Sequence, residues 1–148
     1  MQHKFKFKQW RSPMDNGLPV LIVSCRPENR KMLMRAFDGL PIDSYTAHTL
    51  EQAKEVLRSH PFSVVFCEER LPDGVYRDLL MDVRLNQRNV RFVVMLCTGE
   101  WEGYAEAMRL GAEEVLRCPL LPTDIDLALI HAIKNGPPHE KRMMAVPA

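Results

Sequence analysis

Five short apolar runs alternate with five stretches in which apolar residues return every three or four positions, and this alternation leaves the chain very few folds. The runs fall at residues 19–25, 42–47, 62–68, 90–97 and 113–118. The third contains Phe62-Ser63-Val64-Val65-Phe66-Cys67, and the fourth is strongly apolar from Phe92 to Cys97. Runs of this kind suit strands buried on both faces, as in a parallel sheet. Between them the spacing turns helical. Pro27 fits a first helical turn, where its missing N–H is not needed, and Leu33, Ala36, Phe37 and Leu40 follow. Thr49-Leu50-Glu51-Gln52 has capping-box form and opens a helix with Leu50, Ala53, Val56 and Leu57 on one face. Tyr76, Leu79, Leu80 and Val83 mark a third helix. A fourth, over 101–110, ends before Gly111, a residue suited to a left-handed stop. A fifth, over 123–133, turns Ile125, Ala128, Leu129, Ala132 and Ile133 inward.

Strands that alternate with helices imply a parallel sheet covered on both sides by right-handed crossovers. The expected class is α/β: a doubly wound, flavodoxin-like (βα)5 domain whose five-stranded parallel sheet runs in the order 2-1-3-4-5. One domain over 19–134 accounts for nearly all of the 148 residues. Residues 1–18 read as an extension, with Lys4-Phe5-Lys6-Phe7-Lys8 at strand period before the breakers Ser12-Pro13 and Asn16-Gly17. Residues 135–148 read as a tail opening on Asn-Gly-Pro-Pro. Both ends are expected to be flexible or ordered by a partner.

A formal charge of +1 gives no general attraction to nucleic acid or to anionic membrane. No apolar run reaches membrane-spanning length, so a cytoplasmic location is expected. The four cysteines, Cys25, Cys67, Cys97 and Cys118, form no C-x-x-C pair and are expected as free thiols in a reducing compartment. Strand alternation is expected to turn Cys67 and Cys97 into the packing faces.

In doubly wound sheets the site lies beyond the carboxyl ends of the strands, where the strand order reverses. That rule selects Ser24, Cys25, Glu68, Leu96 and Cys118. Glu68-Glu69-Arg70-Leu71-Pro72-Asp73-Gly74 follows the third run as acid-x-x-Leu-Pro and then Gly. Together with Ile22-Val23-Ser24-Cys25-Arg26-Pro27, Ala107-Met108-Arg109-Leu110-Gly111-Ala112 and Cys118-Pro119, it resembles the receiver (CheY-like) domains of two-component response regulators. The resemblance covers about residues 18–134.

Membership would place the chain in phosphorelay signalling. In the family an aspartate at Glu68's position accepts a phosphoryl group from a histidine kinase. An acidic pair, here Ser24 and Cys25, holds magnesium. A Ser/Thr hydroxyl, assigned to Leu96, and a lysine, here Cys118, contact the phosphoryl group. The following proline, Pro119, usually has a cis peptide bond. None of these chemical positions keeps the family's residue. The resemblance therefore implies a degenerate phosphoacceptor pocket and a lost magnesium site, with no cofactor and no enzyme activity. Such a pseudo-receiver would act by phosphorylation-independent contact with a histidine kinase, an output protein or a second copy of itself. The family's contact surface comprises the fourth helix, fifth strand and fifth helix. Here the helix supplies Trp101, Tyr104, Ala105, Met108 and Arg109, and the strand supplies Arg117. The last helix adds Leu127 and His131.

Two other readings remain open from the residues: a thiol- or metal-responsive sensor built on Cys25 and Cys118, and a response regulator still phosphorylated on Glu68. Glu68 itself reads either as a fixed charge imitating the phosphorylated state or as a half-exposed carboxylate held by loop N–H groups, Arg26 or Arg70.

Overall fold

The computed structural model describes residues 17–86, 89–97 and 101–135, without the side chains of Trp101 and residues 133–135. The extension short of Gly17, the tail beyond Asn135, the inward face of Ile133 and the contact surface of Trp101 thus lie outside the described residues. The elements run β1 (Leu18–Val23), α1 (Pro27–Phe37), β2 (Ile42–Ala47), α2 (Leu50–Ser59) and β3 (Val64–Glu68). A two-residue ribbon, β4 (Arg70–Leu71) with β5 (Gly74–Val75), leads into α3 (Tyr76–Asn86). The chain continues through β6 (Arg91–Leu96), α4 (Trp101–Arg109), β7 (Glu114–Arg117) and α5 (Pro122–Asn135).

The five-stranded sheet is parallel throughout and ordered β2-β1-β3-β6-β7, the expected 2-1-3-4-5 once the ribbon is set aside. Central strands β3 and β6 are buried at every position, whereas edge strand β2 alternates buried and part-exposed residues. That difference follows from coverage: central strands have a helical layer on each face, and an edge strand has one wet side. Val20, Ile22, Val64, Phe66, Val93 and Met95 pack under α1 and α5 with Leu33, Phe37, Ile125 and Leu129. Leu21, Val23, Val65, Cys67, Phe92, Val94 and Leu96 face α2, α3 and α4 on the other side. Among the described residues, no helix is long and apolar enough to cross a membrane.

The loop after β3 is clamped to the start of α2. Thr49 caps that helix, its side chain accepting from Gln52 N at 3.1 Å. The Gln52 side chain returns to His48 N (2.8 Å), one residue before the position a capping box would predict. Asp73 accepts from the next free amides, Leu50 N at 2.9 Å and Glu51 N at 3.0 Å. Gly74 has φ +154, and a Cβ there would stand 2.7 Å from Cδ1 of buried Leu50. The Leu-Pro-Asp-Gly sequence thus serves a packing role whether or not the adjacent carboxylate does chemistry.

Desolvation works against ionisation of Asp73, but the Leu50 and Glu51 amides outweigh it and hold the carboxyl below its ordinary 3.8, with Lys54 helping. A depressed folded-state pKa adds stability that is present above the unfolded value and disappears as pH falls through the folded one. Replacing Asp73 with Ala removes a helix cap and is expected to cost about 1 kcal/mol near neutrality. Urea titrations of Asp73→Asn and the parent should converge as pH drops below about 4. A constant gap down to pH 2 would show that the clamp is not ionic.

Candidate functional site

Register decides which side chains meet at the carboxyl end of the sheet. Val23 pairs with Cys67, Glu68 with Met95, and Leu96 with Arg117. One step further, Ser24 adjoins Glu68, and Cys97 adjoins Cys118. Side chains alternate along a strand, so Ser24, Glu68, Cys97 and Cys118 continue the columns of Ile22, Phe66, Met95 and Leu116 on the α1–α5 side.

Glu68 is 2% exposed, and Ser24 is fully buried. Ser24 Oγ donates to Glu68 Oε2 at 2.5 Å while accepting from Arg26 N at 3.1 Å. Asn29, buried in the first turn of α1, donates through Nδ2 to the same Oε2 at 2.8 Å. Pro27 starts the helix, and Arg30 Nη1 donates to Ser24 O at 2.9 Å, so the turn that carries Asn29 is fixed against β1. The other carboxylate oxygen is less occupied. Cys25 Sγ lies 3.8 Å from Oε1, and Arg26 Nε, on a side chain 52% exposed, lies 4.0 Å from it. Partial burial and the adjacent Glu68 charge push the Cys25 thiol up. Cys67, fully buried on the other core face, has its thiol pushed well up, mainly by desolvation and then by Glu68.

Several expectations need correction. Glu68 is buried rather than half-exposed, and its close partners are Ser24 and Asn29 instead of loop amides or Arg70. Leu96 is not a pocket residue: it belongs to the α2–α3–α4 core, 1% exposed, with Gly103 of α4 packed beside it. Cys97 takes the place that faces the acceptor. It does not turn into a packing face as expected, and its sulfur lies 3.8 Å from Asn29 Nδ2. Cys118 Sγ lies 3.7 Å from the same nitrogen. Cys118 is joined to Cys97 by a disulfide with Cα atoms 4.7 Å apart, so the alternative that groups Cys118 with Cys25 loses its second thiol, and the expectation of four free thiols gives way. The Cys118–Pro119 peptide is cis, as the resemblance implies.

Tyr104 is partly buried against the core with Val115, whereas Ala105, Met108, Arg109, Arg117, Leu127 and His131 are exposed on α4, β7 and α5. His131 Nδ1 meets the Glu114 carboxylate across α5 and β7, a contact that sequence reading missed.

The magnesium implied by the family does not fit this donor set. Magnesium prefers near-octahedral hard oxygen ligands at about 2.0–2.1 Å. This pocket offers a hydroxyl already donating to Glu68, a thiol, and a carboxylate with one oxygen taken by an amide. Among the described residues, no group of three or more His, Cys, Asp or Glu side chains is arranged to hold a metal ion.

No protein-family model matches the chain. Over 100 residues, 68% of its length, it is 26% identical to the response regulator protein PilR of Pseudomonas aeruginosa. That match spans only 22% of PilR, so the chain corresponds to about a fifth of that relative. Among solved structures, the signal receiver domain of an HD domain-containing protein from Pseudomonas fluorescens Pf-5 superimposes with a TM-score of 0.76 at 18% identity, covering 88% of this chain and 95% of that one. The beryllofluoride-activated NtrC4 receiver domain dimer gives 0.74 at 22% identity, covering 79% and 97%. With the sheet order, the helix layers and the placement of Glu68 at the end of β3, these likenesses establish the fold: the chain has the CheY-like fold of response-regulator receiver domains.

Proposed function

We propose that this receiver domain is a pseudo-receiver, a docking module in two-component signalling whose contacts do not depend on phosphorylation. The observation that carries this reading is the state of Glu68. Its Oε2 is held by Ser24 and Asn29 beneath a nearly closed surface, so one oxygen of the would-be nucleophile is already committed. Phosphoryl transfer depends on positioning and on neutralising charge in the transition state. Ser24 and Cys25 supply no carboxylate for a metal, and Cys118 supplies no cation. The donor to Glu68 that replaces them, the Asn29 amide, is neutral. A carboxylate turned inward in this way also presents no charge to a partner, which weighs against a fixed mimic of phosphorylation.

The docking surface in this reading is α4–β7–α5. Met108, Leu127 and Ile130 are each more than 40% exposed there, beside Tyr104 and the Glu114–His131 pair. Apolar side chains beside an aromatic and a rim of polar groups are typical of a protein contact. Its partner is a protein of the pathway, a kinase, an output protein or a second copy of the chain.

Sedimentation velocity with and without magnesium and beryllofluoride tests the reading directly. Self-association is expected to be the same in both conditions and in Glu68→Gln, and to be lost in Met108→Glu with Leu127→Glu. Mass spectrometry after incubation with acetyl phosphate and magnesium should show no phosphoryl adduct. Adduct formation that Glu68→Gln abolishes, or assembly that appears only with beryllofluoride, would restore the phosphorylated-regulator reading.

A further inference from the structure

We propose that Cys97 and Cys118 form a reversible dithiol–disulfide site, oxidised by hydroperoxides or low-molecular-weight disulfides, at the end of the sheet where the family carries its phosphoryl chemistry. The inference goes beyond phosphorylation-independent docking and does not rest on it. Three observations carry it.

Topology comes first. β6 and β7 are hydrogen-bonded parallel neighbours, and Cys118 N donates to Leu96 O at 2.9 Å. The next residues on the same face are therefore side by side, with Cα atoms 4.7 Å apart. That separation lies within the range a disulfide bridges without moving the backbone. The strand pairing immediately before both residues, and not the sulfur–sulfur bond alone, brings these two positions together.

Environment comes second. Cys97 and Cys118 are both part-exposed, so a small oxidant can reach them. The two remaining cysteines do not compete as partners. Cys67 is wholly buried on the opposite core face, and Cys25 lies against the Glu68 carboxylate. Both sulfurs of the pair also lie near Asn29 Nδ2, the amide that holds Glu68, so oxidation occurs in contact with the pocket.

Placement comes third. Cys97 precedes α4 by the short segment 98–100, and Cys118 precedes α5 by 119–121. A bond between them ties together the starts of the two helices that carry the exposed α4–β7–α5 surface.

The chemistry balances without a metal. One thiolate attacks a peroxide oxygen and becomes a sulfenic acid as the O–O bond breaks. The second thiolate then displaces the sulfenic oxygen as water. Two thiols lose two electrons and two protons, and hydrogen peroxide becomes two waters. An external dithiol reverses the step by exchange.

The test is thiol counting on the full chain. After hydrogen peroxide or oxidised glutathione, followed by denaturation and maleimide labelling, the chain should lose two of its four labels. Digestion should give one linked species joining the Cys97 and Cys118 peptides. Excess reduced dithiothreitol should restore all four labels. Cys25→Ser should keep the loss of two labels, whereas Cys97→Ser and Cys118→Ser should each abolish it. Amide hydrogen exchange in the first turns of α4 and α5 should be slower in the oxidised chain. Four labels after oxidation, a link through Cys25, or irreversible oxidation of Cys97 without a cross-link would each overturn the proposal. Label counts do not depend on docking, so this result and the sedimentation result fail separately.

Discussion

Arg84→Ala is expected to destabilise the domain by about 3 kcal/mol, because it strands a buried carboxylate. Arg84 Nη2 donates to both oxygens of Glu113, at 2.8 and 2.7 Å, and to Gly111 O at 2.7 Å, while Nη1 donates to Val90 O at 2.9 Å. The Glu113 side chain is 5% exposed, and its Oε1 also accepts from Phe92 N at 2.6 Å, at the start of β6. One guanidinium thus joins the end of α3, the entry to β6 and the turn after α4. Arg84 is itself 25% exposed, so water can replace part of what it supplies, which places the estimate at the lower end for a broken buried pair. Removing both charges should hurt less. Arg84→Met with Glu113→Gln keeps an acceptor for Phe92 N and leaves no unpaired ion. Urea unfolding of the single and double variants gives the coupling. A double variant as unstable as Arg84→Ala would show that the loss comes from the backbone carbonyls instead.

Legibility differed between elements for physical reasons. Burial on both faces left β3 and β6 as unbroken apolar runs, and their pairing followed from the βα alternation. Gly111, at φ +108, ends α4 as its position predicts, since few other residues accept that backbone. The β4–β5 ribbon was invisible because two residues per strand carry no period. At the site, the pocket's place was legible and half its lining was not. Family position points to Leu96, whereas strand parity counted from Glu68 and its neighbour Met95 selects Cys97. Asn29 carried a signal too: a polar side chain in the first helical turn after β1, at the switch point of the sheet, can reach back to the strand ends. That signal is weak by itself, because a single polar residue in a first helical turn more often caps the helix or faces solvent.

Asn29→Ala is expected to cost about 2–3 kcal/mol, more than a neutral hydrogen bond is worth, because the group losing its donor is an ion with 2% exposure. Ser24 remains as the one close donor, and Arg26, 4.0 Å from the other oxygen and half in solvent, replaces little of the loss. Glu68→Gln behaves differently. Both donors converge on a single oxygen, Oε2, so a glutamine carbonyl there can accept from Ser24 and Asn29 together. Its amide then faces Cys25 and solvent-exposed Arg26, and the expected loss is below about 1 kcal/mol. The combined variant should therefore be more stable than the sum of the two singles predicts, since Asn29 matters most when Glu68 is charged. Denaturant midpoints of the four proteins measure this directly. Strict additivity would mean that Asn29 acts by packing against the two sulfurs and that the carboxylate is neutralised some other way. Sub-additive loss would identify the Asn29 amide as what lets this fold keep a carboxylate buried at the end of β3.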